Sequence, residues 1–327
     1  MKTTVFLMAL VVLAIALITG ASWEQTERAR DHERLPQVGR SIDIGGRSLT
    51  IDCAGAGSPT VIFETGAPRP GYTWVFIQSQ VAPFTRACWY DRAGFGWSDL
   101  GPYPRTSAAN SRDLHALLHR AGIPPPYLLV AETLAALDAR VYTGLYRSEV
   151  SGMVLVDGVH PDLLARFPQI RSTGAPLHKF AGFAESLASR LFNSIGLLRL
   201  LSGRNHPGPP PSGLTIEEWT TIFRLTSQPQ ARVALLEELP ALDRNLADAR
   251  AAGDLGSRPL RVISTAPPNQ PFSDAGMELQ ADLVHLSTRG KQVVVRVPHP
   301  GPLYYQAPQS IIDAVRDVVA DIRAATR

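Results

Sequence analysis

Apolar and polar residues alternate along Ser41-Ile42-Asp43-Ile44 and again along Ser48-Leu49-Thr50-Ile51-Asp52-Cys53, on either side of Gly45-Gly46. Two period-two runs joined by a Gly pair predict an antiparallel hairpin with one face buried. The pattern then changes. Thr60-Val61-Ile62-Phe63-Glu64, Arg86-Ala87-Cys88-Trp89-Tyr90-Asp91, Tyr127-Leu128-Leu129-Val130 and Met153-Val154-Leu155-Val156 are short apolar runs, as expected of strands covered on both faces. Between them lie stretches of helical spacing: Tyr72–Val81, Ala108–Arg120 with Leu114, Leu117 and Leu118 on one face and Ser107 placed to cap it, and Leu134–Tyr146. Strands alternating with helices imply a mostly parallel sheet with helices on both sides.

From Gly158 to Ser257 the spacing is helical throughout, broken by the Gly- and Pro-rich segment Gly203–Gly213. This reads as an insertion or lid, with Leu187, Leu191, Ile195 and Leu198 as its expected core stripe. Arg258–Ser264 and Lys291–Val297 restore the strand pattern, with a helix over Met277–Ser287 between them and a closing amphipathic helix from Gln309 to Arg323.

At the other end of the chain, Val5 to Ile18 is apolar without interruption, preceded by Lys2 and followed by the small residues Gly20-Ala21-Ser22. That is the layout of a signal peptide or membrane anchor, over residues 1–23. Acidic residues mixed with Arg from Glu24 to Arg34 point to a solvated linker outside the membrane, over residues 24–40. With 45% hydrophobic and 19% charged residues in 327, the remainder is long enough for one large α/β domain carrying an insertion. The net charge of +3 comes from scattered arginines, so nucleic acid is not an expected partner. Two cysteines, Cys53 and Cys88, each in an expected strand, are either a disulfide compatible with export or two buried thiols.

The segment Tyr90-Asp91-Arg92-Ala93-Gly94-Phe95-Gly96-Trp97-Ser98-Asp99 resembles the loop that α/β-hydrolase superfamily proteins carry after the fourth strand. Ser58–Glu64, Val154-Leu155-Val156-Asp157 with His160-Pro161-Asp162, and Gln306-Ala307-Pro308 add to a resemblance that runs from Ser41 to Ala325 and is closest to exported or membrane-anchored bacterial members. It implies an α/β-hydrolase fold: an eight-stranded, mostly parallel sheet flanked by helices, its core divided into 41–157 and 258–327 by a helical lid over 158–257. It also implies that Cys53 and Cys88 fall on neighbouring strands, which favours their disulfide.

The resemblance further implies a nucleophile on a sharp strand-to-helix corner, an acid and a His in that chain order, and backbone N–H donors for an oxyanion. Here the corner reads Ala131-Glu132-Thr133-Leu134-Ala135, with Thr133 at the nucleophile position and Glu132 where a His commonly stands. β-Branching disfavours Thr on so strained a backbone. Asp157 is the candidate acid. Counting seven back from Pro308, the base position falls on Gly301; His299, two residues earlier, is the displaced base candidate, about 6–7 Å away along an extended chain. The oxyanion loop reads Gly66-Ala67-Pro68-Arg69-Pro70-Gly71, in which two prolines remove two donors.

The expected function is therefore a degenerate hydrolase whose lidded apolar pocket binds a small apolar or ester-like ligand, with Ala67, Glu132 and Leu134 as candidate binding residues. Two alternatives stand beside it: a weak carboxylic-ester hydrolase in which Thr133 attacks, and a membrane-associated interaction module that uses the lid surface. The eight His read as dispersed and neither Cys lies in a C-x-x-C pattern, so neither a metal nor a cofactor is expected.

Overall fold

A computed structural model describes residues 2–168, 187–201, 207–266, 273–298 and 301–325. The elements in chain order are α1 (Lys2–Arg34), β1 (Arg40–Asp43), β2 (Ser48–Ala54), β3 (Thr60–Glu64), α2 (Val75–Val81), β4 (Ala87–Tyr90), α3 (Ser107–Arg120), β5 (Tyr127–Glu132), α4 (Ala135–Leu145) and β6 (Val150–Val156). They continue with α5 (Leu163–Arg166), α6 (Leu197–Leu201), α7 (Ile216–Thr226), α8 (Pro229–Glu238), α9 (Leu242–Ala251), β7 (Leu260–Ala266), α10 (Ser273–Leu283), β8 (Gly290–Arg296), α11 (Leu303–Gln306) and α12 (Pro308–Ala325).

The eight strands form one sheet in the order β1-β2-β4-β3-β5-β6-β7-β8. β1 with β2 and β2 with β4 are antiparallel, and every later pairing is parallel. Together with the helices inserted between β6 and β7, this is the α/β-hydrolase fold with a lid.

The apolar runs face two ways. Val61, Phe63, Leu128, Val130, Val154 and Val156 pack on one side with Ile311, Val315, Val318 and Val319 of α12. Ile62, Leu129, Ala131, Met153 and Leu155 face the other side, against Leu114, Leu117 and Leu118 of α3 and Ala136 and Ala139 of α4. Strands buried on both faces have no polar positions to alternate with, which is why they lack a period-two signal. The cap of α3 lies one residue earlier than expected: Thr106, not Ser107, accepts the N–H of Ala109, and Ser107 is buried in the first turn.

Cys53 and Cys88 stand directly opposite one another in the β2–β4 ladder and are joined by a disulfide across a Cα–Cα distance of 4.1 Å. α1 is a single helix, long and apolar enough in its first part to cross a membrane, with Val5, Phe6, Met8 and Val12 exposed. Most of its polar end is exposed, but one face of it meets the inserted region. Glu24 is 2% exposed and, with Asp31, pairs with Arg199 of α6 at 2.8 and 2.7 Å, fastening α1 to the inserted region. The leucines of the expected lid stripe are not core residues throughout: Leu187 and Leu191 are 61% and 51% exposed. Ile195 meets α1 instead, since a Cβ built on Gly20 would lie 2.6 Å from the Ile195 carbonyl oxygen.

Candidate functional site

β5 ends at Glu132 and α4 begins at Ala135, so the chain turns through Thr133 and Leu134 alone. Thr133 takes φ +48°, the left-handed region in which a β-branched residue is an outlier. Its backbone is held from both sides. The Thr133 N–H donates to the Val156 carbonyl at 3.1 Å, and the Thr133 carbonyl accepts from the N–H groups of Ala136 and Val159 at 3.2 and 3.0 Å. Strain of this kind costs about 1–3 kcal/mol and persists where the surroundings over-determine it. The side chain points at the loop after β3, where a Cβ added to Gly66 would lie 1.9 Å from Thr133 Oγ1, so only glycine fits there.

Several N–H donors of that loop are absent or engaged. Pro68 and Pro70 have no N–H. The N–H of Arg69 donates to Gly66 O at 3.2 Å, and that of Gly71 to Asp91 Oδ1 at 2.6 Å. The Gly66 N–H is directed at Glu132 Oε2, at 3.4 Å. The other oxygen of Glu132 accepts from Arg69 Nη2 at 2.6 Å, in a pair whose carboxylate side chain is 3% exposed. Burial pushes the Glu132 carboxyl above its ordinary value, against the opposing pull of Arg69. The Arg69 guanidinium lies 5.5 Å from the centre of the Tyr304 ring, so α11 closes the site from a third direction.

Asp157 follows β6 at φ +46°, and its N–H donates to Ile263 O at 2.9 Å. Its Oδ1 accepts from the N–H and the hydroxyl of Thr265 at 2.7 and 3.0 Å, tying β6 to β7. Thr133 and Asp157 thus stand at the carboxyl ends of neighbouring strands, where ligands of open α/β sheets bind. His299 lies outside the described residues. Gly301, the aligned base position, accepts from Gln306 Nε2 at 2.9 Å. Ala67 packs against Phe95, Ala231 and Ala234, and Leu134 lines a cavity of about 20 Å³, room for about one water.

The same cavity is bordered by an ion network that sequence reasoning missed. Arg92 Nη1 contacts Glu238 Oε1 of α8 at 2.6 Å and Asp138 Oδ2 of α4 at 3.4 Å, all three side chains under 10% exposed. Its Nε donates to Thr65 O at 3.0 Å, and Asn110 Nδ2 of α3 completes Asp138 at 2.8 Å. Arg92 at least lies within the recognised loop, whereas nothing near Arg69 marked its partner 63 residues away.

Next to this network, burial pushes the Glu64 carboxyl up to about 8, with Asp138 adding to the shift and the Tyr90 hydroxyl and Arg92 opposing it. Its Oε2 accepts from Tyr90 at 3.1 Å. Between pH 4.5, its ordinary value, and about 8 the folded chain holds a proton that the unfolded chain has released. The stability due to protonated Glu64 is therefore complete below the lower limit and disappears as pH rises through the upper one, with a slope of up to about 1.4 kcal/mol per pH unit. Urea unfolding at several pH values between these limits is expected to show this decline in the wild type and a shallower one in Glu64→Gln; parallel slopes would assign the decline to another group.

No family model matches the chain. An α/β-hydrolase superfamily protein of Gibberella zeae is 24% identical over 196 residues, 58% of this chain and 56% of that protein. An uncharacterised vacuolar membrane protein of Saccharomyces cerevisiae is 35% identical over 112 residues, 33% of this chain and 17% of that protein. The chain thus spans from under a fifth to little more than half of the length of these two relatives. Among solved structures, a thermophilic esterase from Thermogutta terrifontis superposes with a TM-score of 0.62 at 18% identity, covering 88% of this chain and 99% of that one. At that identity the likeness establishes the fold.

Proposed function

We propose that this is a membrane-anchored α/β-hydrolase-fold protein whose hydrolytic centre has degenerated, and whose retained corner contacts a small apolar or ester-like ligand under the lid. The observation that carries this reading is the Glu132–Arg69 pair. A carboxylate aimed at the Gly66 N–H occupies a donor that a hydrolase would turn toward its oxyanion, and it brings negative charge to the place where negative charge must develop. The engaged N–H groups of Arg69 and Gly71 and the β-branched Thr133 act in the same direction. The apolar part of α1 supports the membrane anchor.

Hydrolysis of p-nitrophenyl butyrate by the full-length protein is expected to stay at the buffer rate, identical in wild type and Thr133→Ala. Turnover in the wild type that disappears in Thr133→Ala would overturn this reading. That outcome would favour the second one, a weak carboxylic-ester hydrolase in which Thr133 attacks, His299 is the base and Asp157 orients it. The left-handed backbone at Thr133, the conformation a nucleophile elbow needs, is the observation that speaks for it.

A further inference from the structure

The histidines read as dispersed are not all so. His115 and His119 lie four residues apart on α3 and therefore share one face. The fold brings Glu149, in the 3₁₀ turn Arg147–Glu149 just before β6, up against both of them. His115 Nδ1 lies 3.3 Å from Glu149 Oε2 and His119 Nε2 lies 3.1 Å from Glu149 Oε1. One ligand atom from each of the three residues falls within a 4.8 Å set. We infer that His115, His119 and Glu149 form a binding site for a transition-metal dication of the Zn²⁺ class.

Three observations support a built site. The His115 ring stacks on Tyr146, with centroids 3.8 Å apart and planes 1° from parallel, which fixes the orientation of its Nδ1. The hydroxyl of Tyr142, whose side chain is fully buried, donates to Glu149 Oε2 at 2.5 Å, the kind of outer hydrogen bond that holds a ligating carboxylate in place. The His119 side chain is 55% exposed, so an ion can enter from solvent and keep a water in its remaining position. Two imidazole nitrogens and one carboxylate oxygen suit Zn²⁺ and its transition-metal neighbours, whereas Ca²⁺ and Mg²⁺ require shells of oxygen.

Glu149 precedes the amino end of β6, and Asp157 follows its carboxyl end, so the site lies about 25 Å from the Thr133 corner by strand rise. The ion would clamp α3 to the α4–β6 junction and take no part in chemistry at that corner. Its effect is stabilisation by mass action, because the unfolded chain does not hold the three ligands together.

Calorimetric titration with ZnCl₂ of full-length protein in detergent, purified without a polyhistidine tag, tests the inference. One ion per chain is expected, with no comparable binding of CaCl₂ or MgCl₂, and a melting temperature that rises with Zn²⁺. His119→Ala changes a surface side chain and should melt with the wild type in metal-free buffer, yet bind Zn²⁺ at least tenfold more weakly. Tyr142→Phe should weaken binding by about 10–100-fold while all three ligands remain. Wild type that takes up no Zn²⁺ at 0.1 mM, or His119→Ala that binds as tightly as wild type, would overturn the site and leave the three residues as a His–carboxylate ion cluster.

Discussion

Replacing Arg92 with Met is expected to lower the unfolding free energy by about 3–5 kcal/mol, read from the midpoint of urea unfolding at pH 7. The reason is the charge left behind. Arg92 is the cation that Asp138 and Glu238 both contact, inside a cluster whose side chains are 4%, 5% and 8% exposed. Met matches the length of the Arg stem and can still lie against Phe95, over whose ring the guanidinium now sits at 5.0 Å. Packing is thus largely kept, while two carboxylates lose the cation they contact in a place water scarcely reaches. Because Glu238 belongs to α8 and Asp138 to α4, the same change should loosen the inserted helices from the core. The exposed i,i+4 pair Arg244–Asp248 is the natural comparison: Arg244→Met should cost about 0.5 kcal/mol or less. Equal effects of the two substitutions would mean that the Arg92 cluster is solvated in solution.

The Cys53→Ala/Cys88→Ala double variant is expected to lose about 3–4 kcal/mol. The bond closes a loop of 35 residues that contains β3, α2 and the oxyanion-position loop, and opening it returns that chain entropy to the unfolded state. Ala is the appropriate replacement because Cys88 is fully buried, where a Ser hydroxyl would add an unpaired polar group. Unfolding of the wild type with and without dithiothreitol gives an independent reading. If neither reduction nor the double variant moves the midpoint by more than about 0.5 kcal/mol, the bond contributes no loop-closure stabilisation.

Much of the scaffold was legible because the residues that make it act locally. The Gly45-Gly46 hairpin, the apolar runs of β3, β5 and β6 and the amphipathic α12 follow from period and turn chemistry within a few residues. The cap of α3 was read one residue late, because Thr106 and Ser107 offer the same hydroxyl and only the start of the helix decides between them. The Leu187–Leu191 stripe was read as core from spacing that a half-exposed helix shares. At the candidate site, Thr133, Asp157 and the proline-containing loop could be located by chain position. Their states could not: Asp157 engages Thr265, and Glu132 has a cation partner that no motif names.

The sequence by itself determined where strands and helices alternate, that an apolar helix leads the chain, and that a Thr stands at the β5–α4 corner. Those properties depend on neighbours a few residues apart, so a linear pattern carries them. Which charges meet was decided only by the tertiary structure. Strand order places β4 between β2 and β3, which brings Cys88 opposite Cys53. The loop after β3 folds back onto Glu132, and the turn before β6 reaches the helix face that bears His115 and His119. Electrostatic partners are chosen by distances of a few ångströms between residues dozens of positions apart, and no local period encodes those distances.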